Sequence, residues 1–390
     1  MRIKSILKKK LKENFRLKRF HLFAVGLLII ALVISITSFL VGEKDFNLLD
    51  QMEAAKIAKR QGDFEEHIKI LGSILEERKK SLGDTHLAVA RLSCRLVYAL
   101  AQTYSVLEAP SKIQENHIFA SKILDEAIFI FKNQLGVHHW ETGKAIGQKG
   151  YLISEYQMSL NELPTERAIL YMKEGLSIVK NELGSNDSRA MLLNSILAGL
   201  FFHQGMYDEA EKSYQETLSW VEKTSGAQSE RLAWHLAALS DTKLMTNNFS
   251  EAFEDAERAQ AIYDKPSLKS SSEFARLSYK KGVIALLLND FNVAQKSFKV
   301  SSVLFASMPE RKEEFAWSEQ ELEFATILSD AGGSKDVPQR LVEYLRLLDG
   351  RYSYLLRQPI RERKLHLGSV LKIKNKATIL FKQMRGHAKA

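Results

Sequence analysis

Three stretches of the chain read alike: GMYDEAEKSYQETL from Gly205 to Leu218, NNFSEAFEDAERAQ from Asn247 to Gln260, and NDFNVAQKSFKVSS from Asn289 to Ser302. Aligned without gaps, they set Tyr207, Phe249 and Phe291 42 residues apart. Ala210, Ala252 and Ala294 keep the same interval, and a small residue (Ala198, Ser240, Gly282) stands twelve positions before each alanine. A constant period of this size marks a repeat array, in which each unit buries its apolar face against its neighbours.

The same ruler extends upstream. Gly226 follows Ala210 by sixteen residues, Gly184 follows Ala168 by sixteen, Gly136 follows Ala120 by sixteen, and Gly83 follows His67 by sixteen. Ala55 lies twelve before His67. The Leu-Gly turns at 82–83, 135–136 and 183–184 are 53 and 48 apart, so two units carry 11 and 6 extra residues. These fall between Val97 and Ala120 and between Gly150 and Ala168, and are expected in the turn between the two helices of a unit, where an insertion disturbs neither helix interface. Pro110 falls in the first insertion, Pro164 at a helix start, and Pro266 and Pro309 between units. None interrupts a periodic apolar run, and no alternating strand pattern occurs.

These residues carry a resemblance. LGDTHLAVA (82–90), LGVHHWETGKA (135–145), LGSND (183–187) and QGMYDEAEKSYQETL (204–218) resemble tetratricopeptide repeats (TPR) of the 42-residue, kinesin-light-chain variety. The resemblance covers about residues 47–306, six repeats. It departs from the pattern at His67, where alanine is usual, in the two long turns, and in the last unit, which lacks the Glu-Ala pair. It implies an all-α solenoid, a right-handed superhelix of helix hairpins. The first helix of each pair would line a concave groove that binds a protein or peptide partner and performs no chemistry.

Composition agrees with a folded array. The chain has 390 residues, 45% apolar and 26% charged, with 6 prolines and 20 glycines. Those values exclude a collagen-like or wholly disordered chain. The net charge of +9 is unevenly spread. Residues 1–19 carry +8 and residues 351–390 carry +10, leaving −9 on the 331 residues between them. Two basic ends around an acidic body are poor evidence for nucleic acid, and none is predicted as a partner.

Phe20 to Gly42 contains no Asp, Glu, Lys or Arg. At 1.5 Å per residue such a helix spans roughly 30 Å, the hydrocarbon thickness of a bilayer. The expectation is one transmembrane signal anchor (20–42) with the basic tail (1–19) in the cytoplasm and the repeats extracytoplasmic. In a bacterium this means the inner membrane and periplasm. A cleaved signal peptide and a buried soluble helix are the alternatives; the first lacks an A-x-A site and has too long an apolar run.

After the repeats, residues 309–330 read as a helix stopped at Gly332-Gly333, and Val337–Leu348 as a second, with Val337, Leu341, Tyr344, Leu345 and Leu348 apolar. Residues 307–350 are expected to cap the open end of the array. The tail 351–390 alternates apolar and basic residues as a short amphipathic helix would. It offers itself to anionic lipid or, alternatively, to the acidic body of the chain.

A search for chemistry returns little. His138-His139-Trp140-Glu141 lacks the four-residue histidine spacing of a zinc helix. In the repeat register His139 matches His86, at the start of a first helix, where a structural role is expected. The single cysteine, Cys94, has no triad partner in sequence and excludes an intramolecular disulfide. No P-loop, G-x-S-x-G or G-x-G-x-x-G occurs, so neither catalysis, metal nor cofactor is predicted. One pattern points to binding. Six residues before each small first-helix position stand Arg91, Lys144, Leu192, Trp234 and Arg276. In the resembled repeats this position faces the groove, as do Tyr151, Asp241 and Tyr279 nearby. A groove of Arg91, Lys144, Tyr151, Trp234, Asp241, Arg276 and Tyr279 would suit an acidic or C-terminal peptide segment; otherwise these are ordinary solvated helix residues. A membrane adaptor facing the cytoplasm and an accessory subunit of a membrane enzyme are the rival readings.

Overall fold

The computed structural model describes residues 48–104, 110–329, 337–355 and 360–387. Among them the chain is helical and contains no strand. It divides into two compact units, residues 1–84 and 85–390. The first holds α1 (48–60) and α2 (Phe64–Leu82). His67 is buried between them, and its Nδ1 stands 2.7 Å from the Ala55 carbonyl oxygen. The residue that departs from the repeat pattern is thus accommodated by a hydrogen bond.

The second unit continues in pairs: α3 (Leu87–Thr103) with α4 (Pro110–Gln134), α5 (Trp140–Ser159) with α6 (Glu166–Leu183), and α7 (Ser188–Gln204) with α8 (Tyr207–Ser225). Then come α9 (Glu230–Met245) with α10 (Phe249–Tyr263), and α11 (Ser272–Leu287) with α12 (Phe291–Ala306). Each first helix begins on a side-chain cap. His86 Nδ1 accepts from the Ala88 amide, His139 Nδ1 from Glu141, and Asp187 Oδ1 from Arg189. Ser229 Oγ accepts from Leu232 and Ser271 Oγ from Phe274. Five units therefore repeat one device, satisfying an amide that the first turn leaves without a partner.

The small residues lie where two helices meet. Ala198 and Ser240 are fully buried, and Ser240 Oγ donates to the Ala252 carbonyl at 2.7 Å. A Cβ on Gly282 would come within 2.7 Å of the Phe298 ring. Between α5 and α6 the approach is closer still: Gly150 and Gly175 each abut backbone of the opposite helix. Phe298 and Phe305 of α12 are fully buried, each worth about 1.5–3 kcal/mol relative to exposure.

The insertions differ from expectation. They do not sit wholly in turns. The first falls in a unit whose second helix, α4, reaches 25 residues and starts on Pro110, and the second in a unit whose first helix, α5, reaches 20. Pro at a first helical position forfeits only an amide that has no intrahelical acceptor.

A 3₁₀ turn (Pro309–Arg311) leads into α13 (Lys312–Ser329), followed by α14 (Val337–Leu355) and α15 (Ile360–His387). These close the array. Phe324, Leu341, Tyr344 and Leu348 join the core begun by Val283 and Phe298. The boundary drawn after residue 350 does not hold: α14 runs through it, and Arg351 is buried. The basic tail is no free amphipathic helix either, since Val370, Ile373 and Ala377 of α15 are fully buried in the same core.

The expected anchor, 20–42, and the tail 1–19 lie outside the described residues. Among the described residues no helix is long and apolar enough to cross a membrane.

Candidate functional site

Helices α9, α11, α13 and α15 enclose a cavity of about 320 Å³. Its lining includes Trp234, Asp241, Arg276 and Tyr279, four of the seven groove residues expected from the repeat register. One first helix supplies Trp234 and Asp241, seven residues apart, and the next supplies Arg276 and Tyr279, three apart. Helical spacing places each pair on one face.

Within the cavity the charges are mostly matched. Lys280 Nζ lies 2.7 Å from Asp241 Oδ1 and donates to the Ala237 carbonyl at 2.9 Å. Burial pushes the Asp241 carboxyl up and the Lys280 ammonium down, while each group opposes the shift of the other. Glu314 pairs with Arg311 at 3.0 Å. Behind the wall, Arg351 Nη1 donates to Glu321 at 2.7 Å; Arg351 also reaches the Tyr279 hydroxyl, and the Tyr344 hydroxyl donates to Glu321. Arg351 stacks over Trp317, 4.5 Å from the ring centroid. A buried pair of this kind costs desolvation and orders the site more than it stabilises the fold.

Two groups are left over. Arg276 is exposed and makes no hydrogen bond or ion pair with any described residue. Trp234 is 55% exposed, unusual for so large an aromatic ring, and touches only the edge of His235 among the described rings. Opposite them His366 of α15 packs against Trp317 at 5.1 Å. Burial, reinforced by Arg351, Arg276, Lys280 and Arg311, pushes its imidazole down to about 3. The site therefore combines aromatic walls with one uncommitted guanidinium. Such a surface can hold an apolar side chain while bonding a carboxylate in two-point fashion.

The remaining three expected residues form a separate cluster on α3 and α5. Arg91 makes a two-point bond to Glu141, with Nε at 2.7 Å and Nη2 at 2.9 Å. That hydrogen bond lowers the Glu141 carboxyl, and the pair is already satisfied. Tyr151 stacks on Tyr98 at 5.5 Å, and Lys144 is exposed. Lys280, Trp317, Arg351 and His366 were missed by the sequence reading. Lys280 sits one residue after Tyr279 and could have been found from the register; the others come from beyond the repeats.

His138 and His139 gather no metal set, and the described residues contain no group of three or more His, Cys, Asp or Glu able to hold an ion. Cys94 is pushed up to about 12 by burial, which leaves it protonated and unreactive at neutral pH.

Residues 188–265 match the tetratricopeptide-repeat family model. No curated protein matches the chain in sequence. Among solved structures, the chain is similar to BtubC (BKLC) from P. vanneervenii, at 17% identity and a TM-score of 0.51, covering 63% of this chain and 92% of that one. The TPR-like repeats of a Podosopora anserina kinesin light chain match at 14% identity and 0.47, covering 57% and 98%. The apo form of RapI matches at 13% and 0.47, covering 87% and 98%. The chain is thus an all-helical repeat protein of the tetratricopeptide type, with the repeats themselves marked at 188–265.

Proposed function

We propose that this chain is a scaffold that holds a segment of a partner protein against its first helices, tethered to a membrane by residues 20–42, with the repeats on the extracytoplasmic side. It performs no catalysis of its own. The observation that carries the binding reading is the exposed Trp234 beside the unpaired Arg276, at a cavity with aromatic walls. An apolar side chain next to a carboxylate, as in an acidic segment or a peptide C-terminus, fits that pair. The membrane reading is supported by the uncharged run 20–42 and the +8 segment before it.

Two experiments test these parts separately. Trp234→Ala with Arg276→Ala changes exposed side chains, so the full chain should keep its thermal melt while losing the proteins that co-purify with it from detergent. Unchanged co-purification would remove the cavity from the account. A reporter active only in the cytoplasm, fused after Ala390, should be silent; strong activity would reverse the topology.

A further inference from the structure

Helix α15 does more than cap the end of the array. It touches α5, α9 and α11, all of them first helices of repeats. Along it Gly368, Lys372 and Lys376 recur every fourth residue, and so share one face. Gly368 lies so close to Met245 that a Cβ there would displace the thioether.

The two lysines end on equivalent positions of consecutive repeats. Lys372 Nζ donates to Asn247 Oδ1 and lies 3.5 Å from the Met245 carbonyl oxygen. Lys376 Nζ donates to Asn289 Oδ1 at 2.6 Å and to the Leu287 carbonyl at 3.3 Å. Asn247 and Asn289 are 42 residues apart, and both adopt left-handed backbone (φ 67° and 68°) just past α9 and α11. At such a helix end the last carbonyls lack intrahelical donors and the macrodipole is negative. An ammonium group answers both needs. The repeat period of the array is therefore read by a four-residue period on α15. Lys372 also stands over the Phe249 ring at 5.4 Å, on the aromatic position of the 42-residue ruler.

We propose that these helix ends form an exchangeable docking seat, that α15 is its resident occupant, and that the partner it fits is a basic amphipathic helix with a small residue and two lysines at four-residue intervals. The inference goes beyond the cavity reading, because it concerns the ends of the first helices and not the Trp234 and Arg276 pair. It also connects to it: His366 and Ser369 of the same helix wall the cavity, so release of α15 opens it.

The test uses the full chain and a dye-labelled synthetic peptide of residues 360–387. In the wild type the peptide must compete with a tethered helix, so its apparent affinity is reduced by the fraction of open seats. In Lys372→Glu with Lys376→Glu, carboxylates face carbonyls at a negative helix end, and the resident helix should leave. Hydrogen exchange over 360–387 should rise, and the peptide should bind at least about tenfold more tightly than to the wild type. A Lys372→Ala with Lys376→Ala chain, which adds no charge, should move in the same direction, and the double arginine variant should resemble the wild type. A peptide carrying the two glutamates should not bind. If exchange over 360–387 is unchanged in both the glutamate and alanine variants, the lysines do not hold the helix and the proposal fails. It fails equally if the helix is released and the peptide still does not bind. Neither result depends on Trp234 or Arg276, so failure here is separable from failure of the cavity reading.

Discussion

Gly282 and His366 carry opposite kinds of constraint. At Gly282 the issue is space: the Phe298 ring occupies the place of a side chain. Gly282→Leu should overpack that contact and cost about 1–3 kcal/mol. A thermal melt of the full chain should show the loss, and an unchanged melt would sink the register that pairs these helices. At His366 the issue is charge. Its folded imidazole is pushed down to about 3, while an unfolded histidine titrates near 6.5. Between those values the unfolded chain binds the extra proton, so the stability held by neutral His366 is fully present above the unfolded pKa. It is lost as pH falls toward the folded one. On acidification from about pH 6.5 to 5, the wild-type denaturation midpoint should fall more steeply than that of His366→Gln. Parallel curves would show that His366 is solvated in the folded chain.

At the scale of the element, the caps recur with the repeat. His86, His139, Asp187, Ser229 and Ser271 differ in chemistry, yet each supplies an acceptor at the start of a first helix. Asp187→Ala should cost about 0.5–2 kcal/mol in a denaturant titration. A loss no larger than that of a matched exposed alanine substitution would deny the cap its role. The caps explain why a histidine pair that resembles a metal motif is structural: His139 stands where the array needs an acceptor. They also mark what was legible in the sequence. The 42-residue ruler located the helix pairs because the close contacts at Ala198, Ser240 and Gly282 demand small side chains wherever they occur. The lengths of α4 and α5 were not legible, since extra residues can extend a helix or a turn and periodicity alone does not decide between them. The fate of the basic tail was also hidden. Alternating apolar and basic residues suit a lipid surface and a protein seat equally well, and only the burial of Val370, Ile373 and Ala377 separates the two.

For the molecule as a whole, sequence and structure agree most where one repeat predicts the next. Trp234, Asp241, Arg276 and Tyr279 were brought together by a register that counts from one first helix to its neighbour, and the cavity contains all four. Arg91, Lys144 and Tyr151 obey the same register but lie by other helices, where Glu141 and Tyr98 already satisfy two of them. Trp317, Arg351 and His366 complete the surroundings of the site from elements that do not repeat, so no period could announce them. The account rests most on the claim that the first-helix face, not the second, meets the partner. A photo-crosslinking amino acid placed at position 234 of the full chain, in the cells the protein comes from, tests this directly against one placed at Val303, which is 65% exposed on the second helix α12. The account predicts a discrete protein adduct from position 234 and none from position 303; an adduct from 303 with nothing at 234 would contradict it.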